Sequence, residues 1–299
     1  ILMFAAFNVS ANDDGIWNKI DAGELRRNAV ERIQTPDKFA AFSLDREKMK
    51  RLLATAPEEF SGVDRAILTL PMPDGTLARF QVEHSLIVEL GLLKKFPELG
   101  ATYRGYGIDD PTASVRFDFL PSGFHAMIRA ASGTVFIDPA NEGDTERYIV
   151  YNREDMPRTG SFKCEVDTSD FRSVAELDRS RASDFTPETA PEVTSGTQLR
   201  TYRLAVAATQ EYTAAVGGGT VAGALAAQVL IMNRVNGVYE RDLSMLMIII
   251  ANNNLIIYTA EPDPYTNGNG STMLTQNTTT LNNVIGTANY DIGHVFSTG

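Results

Sequence analysis

Thr201-Tyr-Arg-Leu-Ala-Val-Ala-Ala208 is followed by a helical stretch from Thr220 to Tyr239, an apolar run from Leu243 to Ile250, Leu255-Ile-Ile-Tyr258, a second helical stretch, and Asp291-Ile-Gly-His-Val-Phe-Ser297. The order reads strand, helix, strand, strand, helix, strand. Strands joined through helices predict a mostly parallel sheet with right-handed connections. The first helix puts Val221, Leu225, Val229, Met232 and Val235 or Asn236 on one face, a stripe of the width that packs on a sheet. The run Leu243 to Ile250 is apolar almost throughout, as expected of a strand covered on both faces. Ser271 stands where a cap would open the second helix, which carries Met273, Leu274, Leu281, Val284 and Ile285.

Working backwards, residues 179–198 hold two prolines, many hydroxyls and little to bury, which predicts an exposed linker and a preferred nicking site. Residues 60 to 170 read as a mainly antiparallel β unit. Ala66 to Leu70 and Leu77 to Val82 flank Pro73-Asp74-Gly75, a tight reversal, and Val115 to Leu120, Phe124 to Arg129 and Thr134 to Ile137 continue the pattern. From Asn12 to about Ala54 the spacing of Phe39, Phe42, Leu44, Met49 and Leu52 predicts local amphipathic helices. Residues 1–11 are apolar and then small, with the spacing of a signal-peptidase site after Ala11, and read as the remnant of an export signal. No other run reads as long enough to span a membrane.

The chain has 299 residues, 43% of them hydrophobic and 22% charged, enough for two cores. Its 38 acidic and 27 basic residues give a formal charge of −11, which opposes binding to a phosphate backbone and suits a soluble protein in salty or extracellular surroundings. The single cysteine, Cys164, cannot form an internal disulfide.

Four segments stand out: Leu199-Arg-Thr-Tyr-Arg-Leu-Ala-Val-Ala-Ala-Thr-Gln-Glu-Tyr-Thr213, Met232-Asn-Arg-Val-Asn-Gly-Val-Tyr-Glu-Arg-Asp242, Ala251-Asn-Asn-Asn-Leu-Ile-Ile-Tyr-Thr259 and Asn289-Tyr-Asp-Ile-Gly-His-Val-Phe-Ser-Thr-Gly299. Together they resemble the bacterial reprolysin-like zinc metallopeptidases, a branch of the metzincins. The region before them, with Pro71-Met-Pro-Asp-Gly-Thr76, Tyr103-Arg-Gly-Tyr-Gly-Ile-Asp-Asp-Pro111 and Phe162-Lys-Cys164, resembles the prodomain that precedes that catalytic domain. The expected fold is therefore α+β: a mainly antiparallel prodomain over residues 12–178, then an incomplete α/β metzincin-like sheet with two helices over residues 199–299.

The resemblance implies a secreted endopeptidase, made as a zymogen, that hydrolyses peptide bonds with zinc-activated water. Protein or peptide substrates are then its partners, along with its own prodomain. In that family a His-Glu-x-x-His-x-x-Gly-x-x-His helix and a Met turn come later, so the zinc ligands and the general base are expected beyond Gly299. His84, His125 and His294 are the chain's three histidines, and none pairs at the i, i+4 spacing that binds a metal from one helix. This stretch alone is expected to be inactive.

Cys164 is the candidate zinc latch, since in related zymogens a prodomain thiolate fills the open zinc position; the plainer reading is a small buried strand residue. The resemblance also places a substrate-binding edge at the last strand, nominating His294, Val295, Phe296, Ser297 and Thr298, with Val295 to Thr298 as groove-wall positions and an ordinary half-exposed strand histidine as the plainer reading of His294. Two other classes stay open. Gly217, Gly219 and Ala222 match a dinucleotide-binding pattern, but residues 211–216 separate the glycines from the strand before them. The Asn- and Thr-rich stretches 265–271 and 276–280 would suit a non-catalytic secreted binding or adhesion module.

Overall fold

A computed structural model describes residues 14–27, 35–157 and 198–298. Cys164, the proposed export signal and residues 179–197 of the linker lie outside them. The chain divides into two compact units: Ile1–Leu86 with Gly100–Arg158, and Ile87–Leu99 with Thr159–Gly299.

In the first unit the strands are β1 (Trp17–Ile20), β2 (Ala40–Leu44), β3 (Ala66–Pro71), β4 (Leu77–His84), β5 (Thr102–Gly107), β6 (Ser114–Leu120), β7 (Gly123–Ala130), β8 (Gly133–Pro139) and β9 (Arg147–Asn152), with helices α1 (Ala22–Arg27) and α2 (Arg46–Leu53). All nine strands form one antiparallel sheet in the order β1-β2-β9-β8-β7-β6-β5-β4-β3. The sheet curls until its end strands β1 and β3 approach each other, and the Thr69 N–H reaches the Asp14 carboxylate at 3.3 Å. Its inner face is filled by Trp17, Phe42, Phe80, Phe117, Phe124 and Tyr148, the indole lying edge-on to Phe124 (5.3 Å) and Tyr148 (5.4 Å).

The helical reading of residues 12–54 is corrected here. Phe42 and Leu44 are buried from β2, which pairs with β9 a hundred residues away. Long-range pairing overrides a spacing that happened to look helical. Within that stretch α2 does follow the helical pattern, capped by Asp45, whose carboxylate accepts from the Lys48 N–H at 3.0 Å, with Met49 and Leu53 turned inward.

The second unit contains α3 (Leu90–Leu93), β10 (Arg200–Ala208), α4 (Gln210–Val216), α5 (Val221–Leu243), β11 (Met245–Ile249), α6 (Gly270–Val284) and β12 (Ile292–Phe296). Its three-stranded sheet has the order β11-β10-β12, and both pairings are parallel. The mixed α+β architecture agrees with the expectation, as does a parallel sheet whose strands are joined through helices. Ala205, Ala207, Met273, Leu281 and Ile285 form a core between the sheet and α6.

Three details differ from the sequence reading. Leu255-Ile-Ile-Tyr258 is no strand: residues 253–256 make a 3-10 turn, and only Ile257 bridges to Ala208. The α6 cap is Asn269, whose side chain accepts from the Thr272 N–H at 3.0 Å, in place of Ser271. The helix α5 is 23 residues long and apolar enough, by length and composition, to cross a membrane. It packs on the sheet through a face that includes Gln228, Asn233 and Asn236, all buried.

Candidate functional site at the edge of the parallel sheet

The nominated edge residues occupy β12 and the two positions after it. Phe296 O accepts from the Thr209 N–H at 3.0 Å, so its main-chain groups face β10. By alternation those of Gly293 and Val295 turn away from β10, and among the described residues no strand pairs with β12 on that side.

The side chains alternate likewise. His294 and Phe296 share one face, their rings edge-on at 5.1 Å, and Phe296 also meets Tyr212 of α4 at 5.3 Å. His294 keeps an exposed surface, and partial desolvation of its ring lowers its pKa from the usual imidazole value. Val295 lies on the opposite face and packs on the α6 core. Thr298 is tied to the loop before α6: its N–H donates to Asn267 Oδ1 at 3.1 Å, and Asn267 Nδ2 donates to its hydroxyl at 2.9 Å.

At the start of β12, Arg203 grips Asp291. The Arg203 N–H donates to Asp291 Oδ2 at 2.7 Å and Nη2 donates to Oδ1 at 2.8 Å. These charge-assisted bonds hold the Asp291 carboxyl down to about 2. At the far end of β10, burial pushes the Tyr212 phenol up to about 12.

Sequence reasoning missed the polar side chains that hold the sheet in place. Val206 N–H donates to Asn253 Oδ1 at 2.8 Å, while Asn253 Nδ2 donates to Val206 O and to Gln228 Oε1, both at 3.0 Å. Asn236 treats Met247 in the same way, accepting from its N–H at 2.9 Å and donating to its carbonyl at 2.8 Å. The signal was present: Gln228 and Asn236 stand on the sheet-facing side of α5, where a buried amide demands a specific partner.

A further group was also missed. Glu211, Glu261 and Asp263 each bring a carboxylate oxygen within 4.8 Å of the others, and these are the residues among those described that could hold a metal ion. Asp263 already serves the backbone, accepting from the Gln210 N–H at 2.7 Å and the Tyr265 N–H at 2.8 Å. An all-oxygen set suits a hard cation, whereas a zinc centre draws on imidazole or thiolate.

The histidines do not supply one. In the first unit His84 is bonded to Glu58 at 2.8 Å and to Gly100 O at 2.6 Å, and His125 to Asp118 at 2.9 Å. His294 stands on β12. The described residues do not fit a zinc centre.

Nor do the glycines cradle a phosphate. Gly217, Gly218 and Gly219 lie between α4 and α5, and the N–H groups of Gly217 and Gly219 both donate to Thr213 O at 3.0 Å. Those donors close α4 and are not offered to a pyrophosphate.

No curated protein matches the chain. Residues 198–299 match the family model for metallo-peptidase family M12B, reprolysin-like. Over this stretch, which carries the parallel sheet, α4 to α6 and the β12 edge, the chain is similar to the reprolysin-like metallopeptidases.

Proposed function

We propose that this chain belongs to the precursor of a secreted zinc-dependent metalloendopeptidase, with residues 12–178 as its prodomain and residues 199–299 within its catalytic domain. The observation that carries the reading is the family match over residues 198–299, where the strands β10, β11 and β12 also stack in parallel. The described residues fit no zinc centre, so this reading draws the metal ligands from elsewhere in the precursor. The outward main-chain groups of Gly293 and Val295 would serve an extended peptide by strand addition, with His294 and Phe296 beside them. Cys164, next to Lys163, is the proposed latch that keeps the precursor silent.

The test is a chain extended through the downstream coding sequence, purified with zinc and given a denatured protein substrate. Cleavage that a chelator abolishes and zinc restores is expected. An extension with no His-Glu-x-x-His helix, or activity indifferent to chelation, overturns the proposal. Latency is examined separately: Cys164→Ala in the complete precursor should raise basal activity, and unchanged latency discards the latch alone.

A further inference from the structure

The connection between β4 and β5, residues 87–99, belongs to the second unit, where it closes the outer edge of β11. Ile250 N–H donates to Leu204 O, so Ile250 faces β10 and, by alternation, Met247 and Ile249 present their main-chain groups on the other side. Such an edge invites pairing with any extended chain. Here the groups of both residues have partners. Asn236 takes both groups of Met247. Ile249 N–H donates to Ile87 O at 2.8 Å and Ile249 O accepts from the Glu89 N–H at 2.9 Å, which makes Val88 a parallel strand partner. The Glu89 carboxylate then accepts from the Ala251 N–H at 2.8 Å, and Lys95 donates to Asn254 at 3.0 Å.

The segment is also buried along its length: Ile87, Leu92 and Leu99 are wholly buried and Val88 nearly so. Gly91 lies so close that a Cβ there would stand 2.7 Å from the Ala251 Cβ. A surface loop does not bury four aliphatic side chains and complete a sheet edge; a docked segment does.

We propose that the outer edge of β11 is a strand-acceptor site whose ligand is the chain's own Ile87–Leu99 segment, and that this seam holds the two parts of the chain together after the connection between them is cut. The proposal does not depend on the peptidase reading. For a precursor it means that one cut in the linker frees nothing, and that release needs a second event at the seam.

The experiment uses the full chain with a site-specific protease sequence inserted between Thr186 and Thr194. After cutting, the fragments are expected to co-elute at micromolar concentration, and an excess of synthetic peptide spanning Leu86–Gly100 to displace the N-terminal fragment. Gly91→Val should weaken the association by about tenfold or more. In the uncut chain, Gly91→Val and the milder Glu89→Ala should lower amide-exchange protection at Ile249 and Ala251 while leaving Val206 protected. Fragments that part on dilution overturn the proposal. So do fragments that stay together unaffected by peptide and by Gly91→Val, or protection at Ile249 that neither substitution changes.

Discussion

The carboxamide of Asn253 bonds both main-chain groups of Val206, its oxygen 2.8 Å from the N–H and its nitrogen 3.0 Å from the carbonyl. β11 ends at Ile249, so a side chain fills the place along β10 where a longer strand would have continued. Removing it leaves the Val206 N–H and Gln228 Oε1 without these partners in a dry interior. Asn253→Ala should therefore cost about 2–3 kcal/mol, against under about 0.5 kcal/mol for exposed Asn252→Ala. Urea denaturation of the full chain, followed in the second unit, measures both.

Two neighbouring glycines separate steric from conformational cost. A Cβ on Gly217 would stand 2.5 Å from the Ala224 nitrogen and 2.9 Å from Thr213 O, backbone atoms that cannot swing away. Gly218 has open space around it but a φ of +57°. Gly217→Ala should cost about 2–4 kcal/mol and Gly218→Ala about 1 kcal/mol, read as the ordering of the two thermal midpoints. Equal losses would mean that α4 and α5 do not approach as closely as described.

The Arg203–Asp291 pair has an acid signature. The Asp291 carboxyl sits at about 2 when folded, below its ordinary 3.8. A depressed carboxyl stabilises the native state above the unfolded pKa, and this contribution disappears as pH falls through the folded one. The stability gap between the wild type and Asp291→Asn should be constant above about pH 5 and close between about pH 4 and pH 2. Chemical denaturation at stepped pH checks this, and a gap that widens in acid contradicts it.

Zinc supplies another check. With no histidine in a group that could hold a metal ion among the described residues, and the carboxylate cluster there built from oxygen alone, the chain of 299 residues should retain far less than one equivalent of zinc after dialysis. Elemental analysis decides, and tight one-to-one zinc would require a site among residues not described here.

What could be read in advance followed period and punctuation. Alternation and Pro73-Asp74-Gly75 pointed to the β3–β4 hairpin, and the 3.6-residue stripe of α5 pointed to Leu225, Val229 and Met232, all of which are buried on that helix. The stripe left Val235 and Asn236 undecided, because hydrophobicity favours valine; the sheet takes Asn236, whose amide meets the edge of β11. In residues 12–54 the spacing misled, because what Phe42 and Leu44 do depends on β9. Glu211, Glu261 and Asp263 lie up to 52 positions apart and carry no local pattern to link them.

By itself the amino-acid order determined the class of architecture and, over residues 198–299, the two long helices and the strands they join, because hydrophobic period and turn chemistry act over a few neighbouring residues. Only the tertiary structure decided which edges are closed and by what: Asn253 beside Val206, Asn236 beside Met247, and residues 87–89 beside Ile249. Those partners are chosen by where unpaired main-chain groups fall once the sheet has formed, and a buried donor or acceptor must be matched in space whatever its distance along the chain.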